Sequence, residues 1–138
     1  MTNYTVLIAN GEFPNNEYCN DILSNNPEII CVDTDQKLIE KLGIKPKIIL
    51  GDLDTANINN ANNSVQIIKL DNQNKTDLEK AFEFCLEEKI NEIVVLGATG
   101  QADDHNLANI LIAYQYSKKL NIELISNYFR IMFINERK

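Results

Sequence analysis

The chain has 138 residues, of which 44% are hydrophobic and 24% charged, so it is long enough to form one globular domain with a substantial core. Its formal net charge of -7 argues against nucleic acid or an anionic membrane as the main partner, and no apolar run approaches the length of a membrane span. The three cysteines, Cys19, Cys31 and Cys85, are scattered in apolar segments, and the N-terminus has no signal-peptide pattern, which together indicate buried, reduced thiols in a cytoplasmic protein.

Short β-branched runs alternate with helical patterns along the chain. Most of these runs are continuously apolar, as in a parallel sheet that is covered on both faces. The predicted strands cover residues 5–9, 29–32, 47–50, 65–70, 92–96 and 122–125, and the predicted helices cover about 16–24, 35–42, 76–89 and 105–119. This order predicts a three-layer α/β fold, in which a mostly parallel, Rossmann-like sheet of about six strands has helices on both faces.

Two local patterns add detail to this prediction. Thr76 and Glu79 have the spacing of a capping box at the start of the third helix, which is the most clearly amphipathic of the four. After the sixth strand, residues 128–134 form a further apolar run that predicts another strand close to the end of the chain. That strand is expected to pair with a partner or to mark a fragment of a longer protein.

The polar clusters fall almost entirely at the carboxyl ends of the predicted strands. In a parallel sheet these ends meet at one edge, where ligands bind. The clusters are Asn10 with Gly11, Asp33, Asp52 with Asp54, residues 72–77, and the turn 97–100 followed by Asp103, Asp104 and His105. The opposite edge has chiefly Gly43, Lys45, Pro46 and ordinary charged residues. This asymmetry predicts an active site at the carboxyl edge.

Each cluster also has a simpler structural interpretation. Asp52 and Asp54 are either turn residues or oxygen ligands for Mg²⁺, which usually binds one or two carboxylates together with substrate phosphates. Thr76 is adequately explained as a helix cap, and Asp77 as an acid that favours the positive end of its helix.

The region after the fifth strand is equally open to two interpretations. Asp104 is either an N-cap or a functional carboxylate, and His105 is more often a hydrogen-bonded structural residue than a catalyst. The turn 97–100 is a weak motif by itself, although a glycine-rich turn between strand and helix exposes backbone N–H groups that bind phosphate. The coincidence of all these features at one edge favours the functional interpretation.

The order of the motifs resembles the N-terminal catalytic domain of thiamine pyrophosphokinases. Residues 51–55 align with a Gly-Asp-Phe-Asp-Ser-like motif, and residues 72–77 with an Asp-Gln/Lys-Asp-x-Thr-Asp motif. Residues 97–109 align with Gly-Ala-x-Gly-Gly-Arg-x-Asp-His-x-Leu-x-Asn. The resemblance covers essentially the whole chain. The main departures are Asn72 and Asn74 in place of two acids, and Ala102 in place of a phosphate-binding arginine.

This resemblance implies the Mg²⁺-dependent transfer of diphosphate from ATP to thiamine, which yields thiamine diphosphate and AMP. The implied metal ligands are Asp33, Asp52, Asp54 and Asp77. The implied nucleotide contacts are Asn10, Gly11, Gln73, Thr76, Gly97, Thr99, Gly100 and Asn109. The implied catalytic residues are Asp77, Asp104, which would orient the attacking hydroxyl or accept its proton, and His105, which would support it.

The resemblance also predicts that residues 1–138 are only part of a longer protein. Members of the family carry a C-terminal β-sandwich domain that helps to bind thiamine and to build a homodimer. Residues 1–138 are therefore expected to be a single catalytic domain from a longer protein, which binds ATP or AMP but turns over thiamine poorly. Two alternatives stay open: a non-catalytic nucleotide-binding module, and another metal-dependent phosphoryl or phosphoribosyl transferase or phosphoesterase.

Overall fold

The computed structural model describes residues 4–25, 27–32, 36–51, 65–69, 74–100 and 103–134. Strands and helices alternate along these residues. The strands are β1 (Thr5–Ile8), β2 (Glu28–Val32), β3 (Ile48–Gly51), β4 (Gln66–Lys69), β5 (Glu92–Leu96), β6 (Asn121–Ile125) and β7 (Arg130–Met132). The helices are α1 (Glu17–Ser24), α2 (Gln36–Leu42), α3 (Asp77–Glu87) and α4 (Asp103–Tyr116).

The strands form one sheet of seven in the order β4-β3-β2-β1-β5-β6-β7. The first six strands in the chain are mutually parallel, and β7 is antiparallel to β6. The predicted α/β fold with a mostly parallel sheet is therefore confirmed. Within the run 128–134, β7 covers Arg130–Met132 and is therefore shorter than predicted. It begins late because a tight turn precedes it, in which the N–H groups of Tyr128 and Phe129 both donate to the Ser126 hydroxyl.

Helices cover both faces of the sheet, so the predicted three layers are confirmed. On one face, Leu7 of β1 belongs to a cluster with Phe82 of α3 and Ala113 of α4. On the other face, Val6 and Ile8 of the same strand belong to a cluster that contains residues of α1 and α2. Alternate residues of β1 thus enter different cores, as the two-residue period of a strand requires. No described helix is both long and apolar enough to cross a membrane.

The three cysteines are buried in these cores as free thiols. Burial raises the pKa of Cys19 to about 11 and that of Cys85 to about 12. Such thiols stay protonated at neutral pH and act as small hydrophobic side chains. The prediction that they are buried is confirmed.

The strand order creates a crevice beside the central strand. From β1 the chain adds β2, β3 and β4 on one side of the sheet, and it then crosses through α3 to β5 on the other side of β1. The loops that follow β1 and β5 therefore lead away in opposite directions from adjacent strand ends. This reversal is where open α/β sheets bind their ligands.

The predicted capping box opens α3 next to this crevice. The backbone N–H of Glu79 donates to the Thr76 hydroxyl at 3.2 Å, and the N–H of Thr76 donates to the Glu79 carboxylate at 2.9 Å. Both bonds satisfy N–H groups that a helix end leaves without a partner. The box therefore determines where α3 begins.

Thr76→Ala should lower the free energy of unfolding by about 1 kcal/mol, because the helix loses its cap. Urea denaturation of the purified chain measures this difference. Thr76→Ser retains the hydroxyl oxygen and is the matched control, which should recover most of the loss. Equal stability of the alanine and serine variants would show that the cap contributes little.

Candidate functional site

A cleft with a volume of about 150 Å³ opens between the carboxyl ends of β1 and β5. It brings together residues that lie as far apart in the chain as 9 and 109. Its lining includes seven of the predicted site residues: Asn10, Gly11, Thr76, Asp77, Gly97, His105 and Asn109. The other lining residues are Ala9, Val32 and Leu78. Sequence reasoning did not single out these three for the cleft, because apolar side chains at strand and helix ends give no signal of their own.

Three predicted residues are described but do not line the cleft. Thr99 is buried and Gly100 is exposed, and both lie in the loop between β5 and α4. Asp104 is exposed in the first turn of α4, where its carboxylate accepts a hydrogen bond of 2.8 Å from the backbone N–H of His105. Since α4 begins at Asp103, the alternative interpretation of Asp104 as an N-cap is wrong.

The remaining predicted residues, Asp33, Asp52, Asp54 and Gln73, lie outside the described residues. Of the four predicted metal ligands, the structure therefore describes Asp77 alone. Within the described ranges, no group of three or more His, Cys, Asp or Glu side chains could hold a metal ion. The Asp77 carboxylate is 37% exposed and lies 3.7 Å from the Lys80 ammonium, one helical turn away.

Backbone hydrogen bonds join the loops after β1 and β5 at the base of the cleft. They extend the ladder between these two strands beyond the strands themselves. The bonds run from the N–H groups of Ala9, Gly11 and Glu12 to the carbonyl oxygens of Leu96, Gly97 and Thr99, with N···O distances of 2.8, 2.6 and 2.9 Å. Gly11, which the family resemblance implies as a nucleotide contact, thus already donates its N–H within the protein.

This junction leaves no space for a side chain at Gly11. A Cβ atom there would lie 2.3 Å from the Gly97 carbonyl oxygen and 2.5 Å from that of Thr99. Gly97 itself has a φ of +80°, a conformation that L-residues with a side chain rarely adopt. The sequence predicted these glycines as nucleotide contacts, and the structure shows that close packing of two backbones also requires them.

The Asn109 side chain of α4 also holds the loop after β5. The Asn109 amide Nδ2 donates to the Ala98 carbonyl oxygen at 2.7 Å, and Asn109 is only 7% exposed. The sequence gave no signal for this bond, because it depends on how α4 packs beside β5.

Lys75, which directly precedes the N-cap Thr76, belongs to a polar network that the sequence did not indicate. The Lys75 ammonium pairs with the Glu83 carboxylate, and the same carboxylate oxygen accepts a hydrogen bond of 2.8 Å from the Tyr116 hydroxyl. Lys75 and Tyr116 hold the pKa of Glu83 below its usual range, whereas burial and Glu83 raise the pKa of Tyr116 to about 12. At neutral pH this network ties the start of α3 to the end of α4.

Comparison with known proteins gives consistent matches. Residues 19–125 match the family described as thiamin pyrophosphokinase, catalytic domain. Thiamin pyrophosphokinase 1 of Caenorhabditis elegans is 34% identical over 71 residues, which cover 47% of this chain and 29% of the relative. This chain therefore spans less than a third of the length of that curated relative.

Solved structures match most of this chain. The thiamine pyrophosphokinase of Bacillus subtilis is 26% identical, with a TM-score of 0.67 over 88% of this chain and 60% of its own. The thiamin pyrophosphokinase of Candida albicans has a TM-score of 0.73 over 94% of this chain and 60% of its own. At 16% identity, the second likeness shows the shared fold alone.

Gly11→Ala should force the two loops apart and lower the free energy of unfolding by roughly 1–3 kcal/mol, the usual cost of overpacking. Gly43→Ala is the matched control. Gly43 has a φ of +66° and no atom within 4 Å of an added Cβ, so this variant has backbone strain without a clash. Urea denaturation compares the two. If Gly11→Ala lowers the free energy of unfolding less than Gly43→Ala does, the loops after β1 and β5 separate easily.

Proposed function

The chain belongs to the thiamin pyrophosphokinase catalytic-domain family, and on that basis we propose that it binds ATP with Mg²⁺ between β1 and β5 and transfers diphosphate from ATP to thiamine. One observation carries the proposal: the cleft at the reversal of strand order gathers seven residues that separate motifs of the sequence predict. Unrelated turns and caps would have no reason to meet at the single edge where such sheets bind ligands.

The proposed nucleotide site combines the two loops with the start of α3. Asn10, Gly11, Gly97 and Asn109 form its base, and Thr76 forms the wall at the positive end of α3. The positive end of a helix favours the negative charge of phosphate groups. Gln73, Thr99 and Gly100 complete the proposed set of nucleotide contacts.

The formal net charge of -7 opposes the binding of a polyphosphate, and a bound divalent cation would reverse the local field. We assign Mg²⁺ to Asp77, together with Asp33, Asp52 and Asp54. Asp77 suits this role because it lines the cleft and its side chain remains 37% exposed despite its ion pair. Mg²⁺ bound to one or two carboxylates and to phosphate oxygens would neutralise the charge of the phosphates.

In the proposed reaction, the hydroxyl oxygen of thiamine forms a bond to the β-phosphorus of ATP. The bond from that phosphorus to the oxygen bridging the α-phosphate breaks, and AMP leaves with the electron pair. The hydroxyl proton passes to a base, for which we propose Asp104. The support for Asp104 is its position directly before His105, which lines the cleft. The Asp104 carboxylate accepts a hydrogen bond from the backbone N–H of His105.

We also propose a homodimer and a cytoplasmic location. The support for a dimer is an exposed apolar stripe on α4, formed by Leu107, Leu111 and Tyr114 at helical spacing. The Phe133 ring lies 6.2 Å from the Tyr114 ring and extends the stripe towards β7. The free, buried thiols of the three cysteines are typical of a reducing compartment.

Asp77→Asn should weaken the binding of Mg²⁺-ATP about tenfold or more and change the binding of ATP in EDTA little, because a carboxylate ligand is lost. Calorimetry with and without Mg²⁺ separates this effect from the loss of the Lys80 ion pair. Asp103→Asn, which neutralises a first-turn acid of α4 outside the cleft lining, is the control. Equal weakening with and without Mg²⁺ would contradict the metal assignment.

The same preparations test turnover by chromatography of the products. Thiamine diphosphate and AMP in equal amounts would support transfer, and Asp77→Asn should reduce both. Tight binding of Mg²⁺-ATP without thiamine diphosphate would instead favour the non-catalytic nucleotide-binding module.

Leu111→Glu should convert a dimer to a monomer at micromolar protein concentration, because it places a charge in the middle of the apolar stripe. Gln66→Glu adds the same charge to an exposed position of β4, at the other edge of the sheet from β7, and should leave the dimer intact. Sedimentation velocity measures both. A monomeric unsubstituted chain would remove the support that this stripe lends to the dimer.

A further inference from the structure

Lys80 of α3 has an unusual environment for a lysine. Its side chain is only 9% exposed, although a lysine is rarely buried unless a group of opposite charge lies beside it. It follows the acids Asp77 and Glu79 of the first helical turn, at the end of α3 where the helix dipole favours negative charge. Burial and the dipole both oppose the charge of this ammonium, so a nearby anionic group has to offset it.

The Asp77 carboxylate is the group that offsets this charge. Its Oδ1 lies 3.7 Å from the Lys80 Nζ, and within the described ranges no other carboxylate forms an ion pair with this ammonium. The distance is longer than that of a hydrogen bond, so the two groups attract each other by charge alone. A second cation can therefore approach the same carboxylate without first breaking a hydrogen bond.

The two side chains of this ion pair are placed differently relative to the cleft. Asp77 lines the cleft and its side chain is 37% exposed, whereas Lys80 is not among the described residues that line it. A ligand would thus meet the Asp77 carboxylate from the cleft, while the ammonium contacts this carboxylate from within the protein. A cation bound in the cleft would share the carboxylate with the ammonium.

This arrangement opposes a free divalent cation and favours one that carries phosphate. A free ion meets a carboxylate whose charge is already offset, and the ammonium repels the ion at short range. A divalent cation bound to a polyphosphate brings oxygens with a net negative charge, which the same ammonium attracts. Both effects are strong because salt screens partly buried charges much less than exposed ones.

We propose that Lys80 is a specificity-determining residue of the cleft. Its ammonium, in contact with the Asp77 carboxylate, weakens the binding of a free divalent cation and thereby makes the site select the complex of that cation with a polyphosphate. The assignment of the metal to Asp77 rests on the proposed function. Lys80 acts through its charge and not as a ligand of the metal, because an ammonium group has no acceptor atom.

The test uses Lys80→Met, which preserves the approximate length of the side chain and removes its charge. Lys47→Met is the matched control, since it removes an equal charge that pairs with Glu28 at 2.8 Å. That pair lies where β2 and β3 begin, at the edge of the sheet opposite the cleft. Lys80→Arg retains the charge and should behave as the original chain does. Lys80→Gln is the second neutral variant, in case Lys80→Met does not fold.

The first measurement titrates each chain with Mn²⁺ alone. Mn²⁺ stands in for Mg²⁺ because both ions prefer carboxylate oxygens, and its EPR signal reports the concentration of the free ion. Lys80→Met should lower the dissociation constant of Mn²⁺ about tenfold, because the repulsion by the ammonium is lost. Lys80→Arg and Lys47→Met should stay within about twofold of the original chain.

The second measurement is calorimetry with Mn²⁺-ATP. Its dissociation constant in Lys80→Met should stay within about threefold of the original, because the lost attraction to phosphate offsets the gain at the metal. The preference of the site for Mn²⁺-ATP over free Mn²⁺ should therefore fall severalfold. A merely structural role of Lys80 would lower the thermal midpoint or the stoichiometry and would not tighten the binding of the free ion.

A folded neutral variant of Lys80 whose Mn²⁺ dissociation constant stays within about twofold of the original would overturn the proposal. An equal gain in Mn²⁺ affinity for Lys80→Arg or Lys47→Met would also overturn it, because the charge at position 80 would then not be the cause. If the unsubstituted chain does not bind Mn²⁺-ATP, the proposed function fails. The titration with free Mn²⁺ then still decides whether Lys80 opposes a cation at Asp77.

Discussion

The backbone of the loop after β1 touches the backbone of the loop after β5, and the rest of the site depends on this contact. β1 is the central strand of the sheet, and β5 is its neighbour on the side where the strand order reverses. A crevice forms there because the two loops diverge, yet hydrogen bonds hold their bases together. The contact is so close that position 11 has no space for a Cβ atom. A glycine is needed at this point whether or not it ever touches a ligand.

The walls of the cleft are held to this base by polar interactions of α3 and α4. The capping box determines where α3 begins, and the Lys75–Glu83–Tyr116 network connects that start to α4. α4 in turn carries His105 to the cleft and Asn109 to the loop after β5. Since α3 and α4 share one hydrophobic cluster, the wall at Thr76 and the loop at Ala98 belong to a single packed unit. This arrangement suits a reaction that needs groups held in place more than it needs covalent chemistry.

Much of the secondary structure is predictable because its signals are local. Within the described residues, all seven strands and all four helices lie within a few residues of the predicted ranges, and the capping box between Thr76 and Glu79 has the predicted hydrogen bonds. The start of α4 matters most, because the helix begins at Asp103 and not at 105, and Asp104 is therefore not its cap. The roles of the predicted metal ligands remain predictions, because Asp33, Asp52 and Asp54 lie outside the described residues.

The amino-acid sequence by itself determined the elements, the layered α/β class and the edge at which the polar residues collect, since apolar periodicity and strand-end polarity are properties of neighbouring residues. Only the tertiary structure decided that β1 lies next to β5, that β7 runs antiparallel, and that Asn109 donates to Ala98. It also decided that the N–H of Gly11 donates to a carbonyl of the loop after β5. The physical reason is that these contacts join segments far apart in the chain, and their geometry follows from how helices pack on a completed sheet.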